Sequence, residues 1–522
     1  MKQAFLILLF TLLLIIISGC RPTKIIRNIE KPENYVKGYK DDFLKIHMKD
    51  GSLYVLDSWK IKNLSRLISG TGKYYNYKRD IISSSQKKDH STGNKLYNIS
   101  WDDITLLETN QLKYHSGNLT TITIVGVPMA LLTIYCLTNP KACFGSCPTF
   151  YTRKDEKWKL AAEGFSSSIL PVFEKGDIDM LYWSDNINDS ITIKLTNEAL
   201  ETHVIRFADL LIFPHIEKER VFYGTDGNFY RLRNIVPPSR CICQEGSCRE
   251  EIKQIDHKER FSLANPKNLA KKEEIIFSFT NEVNDSLGLI ITSRQTLLTT
   301  FLFYQGLAYS GNYAGYFAAR IENGNKFLRN RVEKLWNKLG GIEIYLKLET
   351  GKWEKVGEID EMGPIASDLH VIKLPPDIPD NSILKLKMTQ GLWRIDYLAL
   401  GEIISKETPV TIHPESITRA EKNDNNALRL LNDTTQYLVT YPGDNYFLNY
   451  KLPDKNKYEY FLNSKGYYLE WIRDEWLAEQ DLQKLRFMFA FPGSFMRKTA
   501  KEFKKIEPSM EESFWGSRYV QE

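Results

Sequence analysis

Residues 43–56 constrain the rest of the chain more than any other stretch. Leu44, Ile46 and Met48 alternate with Lys45, His47 and Lys49, Asp50-Gly51 interrupts, and Leu53-Tyr54-Val55-Leu56 resumes the run. A period of two puts successive side chains on opposite faces of a strand. An Asp-Gly pair between two such runs supplies the positive φ that a tight hairpin needs. Further short strands are expected over 59–67, 73–77, 81–83 and 104–107, so 41–115 reads as a small all-β barrel or roll. Its SGTGK stretch, Ser69 to Lys73, lacks the spacing of a phosphate loop and reads as a glycine-rich turn.

The same alternation continues beyond residue 143. Short strands separated by turn residues are expected across a Cys-containing β-region at 143–260, with Asn186–Asp189 and Asp226-Gly227 as turns. A second β-unit follows at 270–403. Inside it the period changes over 295–339. There Phe327, Leu328, Val332, Leu335, Trp336 and Leu339 recur at three- and four-residue steps, as on an amphipathic helix, and Gly340-Gly341 ends it. Strands without a βαβ rhythm argue for a sandwich carrying a helical insertion. The segment 404–522 is mixed, with strands at 437–439 and 446–452 and helices over 469–480, 482–489 and 495–506. A length of 522 residues exceeds one core, and 42% hydrophobic with 26% charged residues is an ordinary globular balance. The fold class expected is mainly β and multi-domain: a small barrel or roll plus sandwich modules, a helical insertion and a mixed α/β C-terminal region.

The N-terminus carries an address. Lys2 precedes the apolar run from Phe5 to Ile17, which ends at Ser18-Gly19-Cys20, the pattern of an export signal. Ile17-Ser18-Gly19-Cys20 resembles the bacterial lipobox. That resemblance implies that 1–20 is a lipoprotein signal peptide, that Cys20 is acylated, and that 21–40 is a polar tether. Two or more acyl chains anchor a protein stably. Arg21-Pro22 after the lipidated residue leans towards the outer membrane, facing the periplasm. Residues 119–138 form a second uncharged stretch, read as a buried or membrane-associated helix with a true span as the alternative. The net charge of +5 is small, and Lys and Arg are interleaved with Asp and Glu, so nothing favours nucleic acid.

With Cys20 taken by lipid, Cys136, Cys143, Cys147, Cys241, Cys243 and Cys248 remain. An even set in an oxidising compartment favours disulfides. Thiolate metal binding and free thiols are the alternatives, and the spacing does not say which cysteines pair. No nucleophile elbow, metal-binding His pair or dinucleotide fingerprint is present, and no cofactor is expected. Glu163, Asp177, Asp179 and Glu198 are the candidate carboxylates for glycan hydrolysis. Trp393, Arg394 and Asp396 offer an aromatic platform with polar neighbours for a sugar.

Two resemblances add to this. The ending LKLKMTQGLWRIDYLAL looks like the last strands of galactose-binding-like jelly rolls, which implies such a fold for 270–403. The stretches SCPTFY, KDEKWKLAAEGFSSSI, ITIKLTNEALET, LLTTFLFYQGLA, GLWRIDYLAL and GYYLEWIRDEWLAE resemble a family of uncharacterised secreted bacterial proteins with a Cys-Pro-aromatic motif, here Cys147-Pro148 followed by Phe150. That likeness covers 143–522. It implies one multi-domain module and brings no activity with it. Asp155-Glu156 stand where that family shows an Asp-Gly turn. The expectation is a non-catalytic envelope lipoprotein, held to the membrane by its lipid, that presents β-modules to a protein or glycan partner. An envelope glycan hydrolase using carboxylates of 160–200 is the alternative.

Overall fold

The computed structural model describes residues 23–35, 43–77, 95–114, 147–154, 157–181, 189–280, 286–360, 363–376, 378, 381–472 and 474–515. Cys20, Cys136, Cys143, the 119–138 stretch and the strand expected at 81–83 lie outside them. The chain is mainly β, in five multi-stranded sheets. Eight helices are described: α1 (Arg249–Ile252), α2 (Leu298–Ser310), α3 (Ala314–Glu322), α4 (Lys326–Leu339), α5 (Asn425–Asn432), α6 (Asp474–Ala478), α7 (Leu482–Ala490) and α8 (Pro492–Trp515).

The N-terminal unit is one antiparallel sheet of six strands. Spatially they run Thr23–Glu30, Ile104–Tyr114, Leu44–Met48, Leu53–Lys62, Leu67–Tyr75 and Lys95–Ser100. The Asp50-Gly51 turn forms as expected, with Gly51 at φ +81°. The expected tether is corrected here, because Thr23–Glu30 pairs along its whole length with Ile104–Tyr114. Its polar look concealed the pairing: Arg27 is buried on Glu108, Nε to Oε1 2.6 Å, and Ile29 packs with Leu106 and Val204.

The next two sheets make a sandwich that ignores the expected division between 143–260 and 404–522. Ser190–Thr196 lies between Thr149–Lys154 and Asn445–Lys451, and Glu201–Pro214 pairs with Tyr458–Glu470 over thirteen positions. Strands from both ends of the chain therefore share one core of Phe150, Ile193, Leu195, Ile205, Leu210, Leu448, Tyr450 and Leu462. The helix expected over 469–480 is shortened for this reason. Residues up to Glu470 are held as strand, and α6 begins at Asp474.

Everything between those halves forms a second layered unit, which starts near 220 instead of 270. Phe229–Val236, Arg220–Gly224, Asp368–Lys373, Leu287–Gln295 and Trp393–Glu407 close into a ring through the pairing of the first and last. Its interior holds Phe222, Leu232, Ile290, Val371 and Ala399. The ring is tight: Gly288 and Gly401 stand in register, and a Cβ on either would come within 3 Å of Val371 or Leu232. A further sheet of Arg240–Cys243, Lys272–Ser278, Ile383–Thr389, Ile342–Lys347 and Trp353–Ile359 packs over it. The helices α2 to α4 leave this unit after Gln295 and return at Ile342, where α7 and α8 of the C-terminal segment meet them.

Candidate functional site: a helix-lined chamber

The helices meet side by side without filling the space between them. Helix α2 is apolar on nearly every side, the pattern of a helix buried on two fronts. Leu298, Phe301, Leu302 and Ala308 enter the sandwich core, while Phe303, Gly306 and Leu307 face the gap. Helix α4 is the amphipathic helix read from the sequence. Asn325 caps it, its side chain accepting from Leu328 N at 3.1 Å, and Gly340 at φ +62° ends it. Only Leu335 and Leu339 of its apolar stripe are buried. Phe327, Leu328, Val332 and Trp336 instead line a cavity of about 440 Å³. Helix α7, capped by Asp481 through Gln483 N and Lys484 N, adds Leu482, Leu485, Met488 and Phe489. Helix α3 adds Ala314, Phe317, Ala318 and Ile321. A concave, mostly apolar space of this size is the usual form of a small-molecule site.

Its charged lining is few and mainly basic: Arg27, Arg331, Arg486 and one acid, Glu470. Arg27 is engaged by Glu108 and by Glu470 O at 2.9 Å. Arg331 lies over the Phe327 ring, 4.9 Å from its centroid, and donates to Phe489 O at 3.2 Å. Arg486 is exposed. Helix α4 carries five Lys or Arg against the single Glu333, and α7 carries Lys484 and Arg486 without an acid. The apolar space therefore lies among cationic helices.

A smaller alcove of about 220 Å³, with more polar groups in its lining, shares Phe173, Phe303, Val332 and Trp336 with the chamber. Cys147, Glu163, Glu201, Gln295 and Tyr468 line it. Burial, with Glu163 and Glu201 nearby, pushes the Cys147 thiol well up, so it stays protonated and is a poor nucleophile. Glu163 Oε2 accepts from Ile365 N at 2.6 Å and Ala366 N at 3.3 Å, and Glu201 Oε2 meets His203 Nε2 at 3.1 Å.

The candidate carboxylates are placed in different settings. Glu198 is buried and accepts from the Tyr151 hydroxyl and from Thr196 Oγ1. Asp177 accepts from Phe165 N and Ile178 N. Asp179 is buried against Asp368, and burial raises both, Asp368 to about 8. Burial likewise raises Asp177 to about 6. The sugar platform is corrected: Trp393 is fully buried in the sandwich core and Asp396 is 1% exposed. Arg394 donates to Glu259 at 3.1 Å and lies over the Phe261 ring. Asp396 sits where the register with Leu287–Gln295 slips, so no shared outward face forms. Among the described residues no cluster of His, Cys, Asp or Glu is arranged to hold a metal, and no helix is long and apolar enough to cross a membrane.

Sequence reading missed the chamber-facing roles of Phe303, Phe317, Arg331 and Phe489. The signal that could have found them was two adjacent helical segments, one apolar all round and the other carrying an apolar stripe beside a run of cations.

No protein-family model and no curated protein matches this chain. Among solved structures, one of the infectious bursal disease virus Gt strain aligns over 93% of this chain and 95% of that one, at 10% identity and a TM-score of 0.13. A mutant VP2 protein of the same virus, in derived T=1 particles, aligns over 95% and 93%, also at 10% identity and 0.13. Scores of that size carry no argument about fold or function.

Proposed function

We propose that this chain is a non-catalytic, lipid-anchored protein of the bacterial cell envelope that binds an acidic amphiphile, taking its alkyl chain into the helix-lined chamber. The observation that carries this reading is the N-terminal part of the apolar stripe of α4, Phe327, Leu328 and Val332, which borders an open space while Leu335 and Leu339 enter the core. Hydrocarbon in that space would complete the burial that the protein's own side chains leave unfinished. The basic residues of α4 and α7 suit an acidic head group at the rim. The lipobox at Cys20 supports an anchored, exported protein, on the periplasmic side of the outer membrane. There the β-units also offer surface to an envelope protein or glycan partner. The carboxylates of 160–200 are held by amides, hydroxyls and one another, which supports structural roles for them over glycan hydrolysis.

The test is a series of straight-chain fatty acids, measured by calorimetry or by displacement of a fluorescent acyl probe. Each buried methylene contributes about 0.8 kcal/mol, so two added carbons should tighten binding by roughly tenfold until the chamber is full. Ala318→Trp, which places an indole in the space, should abolish binding while leaving the thermal transition in place. Affinity that ignores chain length, or survives Ala318→Trp, refutes the proposal. Palmitate labelling of the wild type but not of Cys20→Ala tests the anchor separately.

A further inference from the structure

The sequence leaves the pairing of the cysteines open, and the hairpin at Arg240–Cys243 and Gly246–Ser247 brings three of them together. Gln244-Glu245 make the turn, Cys243 pairs with Gly246 and Ile242 with Ser247. The next rung outward is Cys241 opposite Cys248, with Cys248 N donating to Cys241 O at 3.2 Å. Residues facing each other across a hydrogen-bonded antiparallel rung have Cα atoms about 5.5 Å apart, inside the span that a disulfide bridges. The side chains converge as well, with the sulfurs 3.1 Å apart. Both are buried against the sandwich core that holds Ile252 and Phe277. Cys243 lies on the same face, one rung-pair nearer the turn. Its sulfur is on Gly246 O at 3.4 Å and also interacts with the Cys248 thiol, but it is only half-buried and does not stand opposite Cys248.

We propose that Cys241 and Cys248 are joined by a disulfide whenever the chain folds in the presence of a disulfide oxidant, and that Cys243 keeps its thiol. The exchange balances with one oxidant molecule, RSSR. One cysteine sulfur attacks it and releases RSH, the second cysteine attacks the resulting mixed disulfide and releases another RSH, and the two cysteine protons end on the leaving thiols. A thiolate role for Cys243 and Cys248 is opposed by their surroundings: burial pushes the Cys243 thiol up to about 12, and Cys241 together with burial raises Cys248. Metal ligation in the folded state requires a standing thiolate, whereas the exchange with RSSR takes place while the chain folds, before these thiols are buried.

Arg240 and Arg249 place all three cysteines on one tryptic peptide, 241–249, which isolates the question from the other thiols of the chain. The full-length protein is folded in a mixture of oxidised and reduced glutathione, alkylated, digested, cut again after Glu245 and sequenced by fragmentation. The expected peptide has lost two hydrogens, links Cys241 to Cys248 and carries a single alkyl group on Cys243. Cys243→Ser should leave the link intact, and Cys248→Ser should leave both remaining cysteines alkylated. A link through Cys243, a link to a cysteine outside the peptide, or three alkylated cysteines overturns the proposal. Because no acyl ligand enters this experiment, its outcome is independent of the chamber.

Discussion

Lys45 offers the most demanding test of how the units are held together. Its side chain is wholly buried, with Nζ 2.7 Å from Glu108 Oε2 and 2.6 Å from Glu322 Oε2. Glu108 has other partners: Arg27, and His47, whose second ring nitrogen meets the Tyr467 hydroxyl at 2.7 Å. Burial alone would raise Glu108, but Arg27, Lys45 and His47 hold it well below the usual carboxylate range. Glu322, on α3, has Lys45 as its ion-pair partner, and burial leaves its carboxyl raised. Lys45→Met therefore strands Glu322 far more than Glu108. Removing one member of a buried pair costs about 3–5 kcal/mol. In a multi-domain chain a single unfolding free energy is not well defined, so the assay is native-state hydrogen exchange on peptides covering 44–48 and 104–110. Protection there should fall by roughly a hundredfold to several thousandfold. Lys45→Met combined with Glu322→Leu replaces both charges by apolar groups and should recover most of the loss. A fall of less than tenfold in the single variant, or a double variant as exposed as the single, refutes the claim that this pair fastens α3 to the N-terminal sheet.

Three further predictions follow from the buried acids and the thiols. Asp177, Asp179 and Asp368 are raised by burial, so above about pH 4 the folded state holds protons that the unfolded state has released. Stability then falls as pH rises from about 4 to about 8; the urea midpoint should drop across that window, and Asp368→Asn should flatten that slope. A Cβ at Gly363 would lie 2.1 Å from the Glu163 carboxylate. Gly363→Ala should therefore cost about 1–3 kcal/mol by displacing the acceptor of two buried amides, yet little in a Glu163→Ala background; additive melting shifts would disprove the contact. Reducing the Cys241–Cys248 link should cost roughly 2–3 kcal/mol by the loop-entropy model, visible as earlier exchange in 240–248 and absent in Cys248→Ser.

What could be read in advance was local. The hairpin at Asp50-Gly51, the stripe of α4 and its stop at Gly340 are each written in fewer than fifteen consecutive residues, and alternation or helical spacing reveals them. The pairing of Glu201–Pro214 with Tyr458–Glu470 spans some 250 residues of chain and leaves no local trace. Nor does composition disclose that a polar strand such as Thr23–Glu30 is completed by Glu108 across the sheet. Trp393 misled for a similar reason. An aromatic beside Arg and Asp looks like a sugar platform until the strand's two faces are told apart, and here the Trp faces the core. The chamber was half legible: the stripe was there, but period alone cannot tell a face that meets protein from one that meets empty space.

The interleaved order of the chain explains why the chamber is where it is. Helices α2 to α4 are an insertion between two neighbouring segments of the second β-unit, so both their ends are pinned to it. Helices α6 to α8 follow directly from Tyr458–Glu470, a strand of the first sandwich. Their buried side chains nevertheless join the core of the second unit, so the chamber is walled by helices of that unit on one side and by Leu170, Phe173 and Glu470 of the first sandwich on the other. Arg27 and Glu322 tie the N-terminal sheet to the same place. A movement between the two sandwiches must open or narrow the space between Phe173 and these helices without unfolding any of them. The acid pair Asp179–Asp368 lies at that same boundary, one residue on an edge strand of the first sandwich and the other in the ring of the second. Deprotonating it would place like charges face to face, so the pH that weakens the pair should also alter the affinity of the chamber for an alkyl chain. Asp368→Asn should remove that dependence while leaving the chain-length dependence untouched, because the first acts on the joint and the second on the walls.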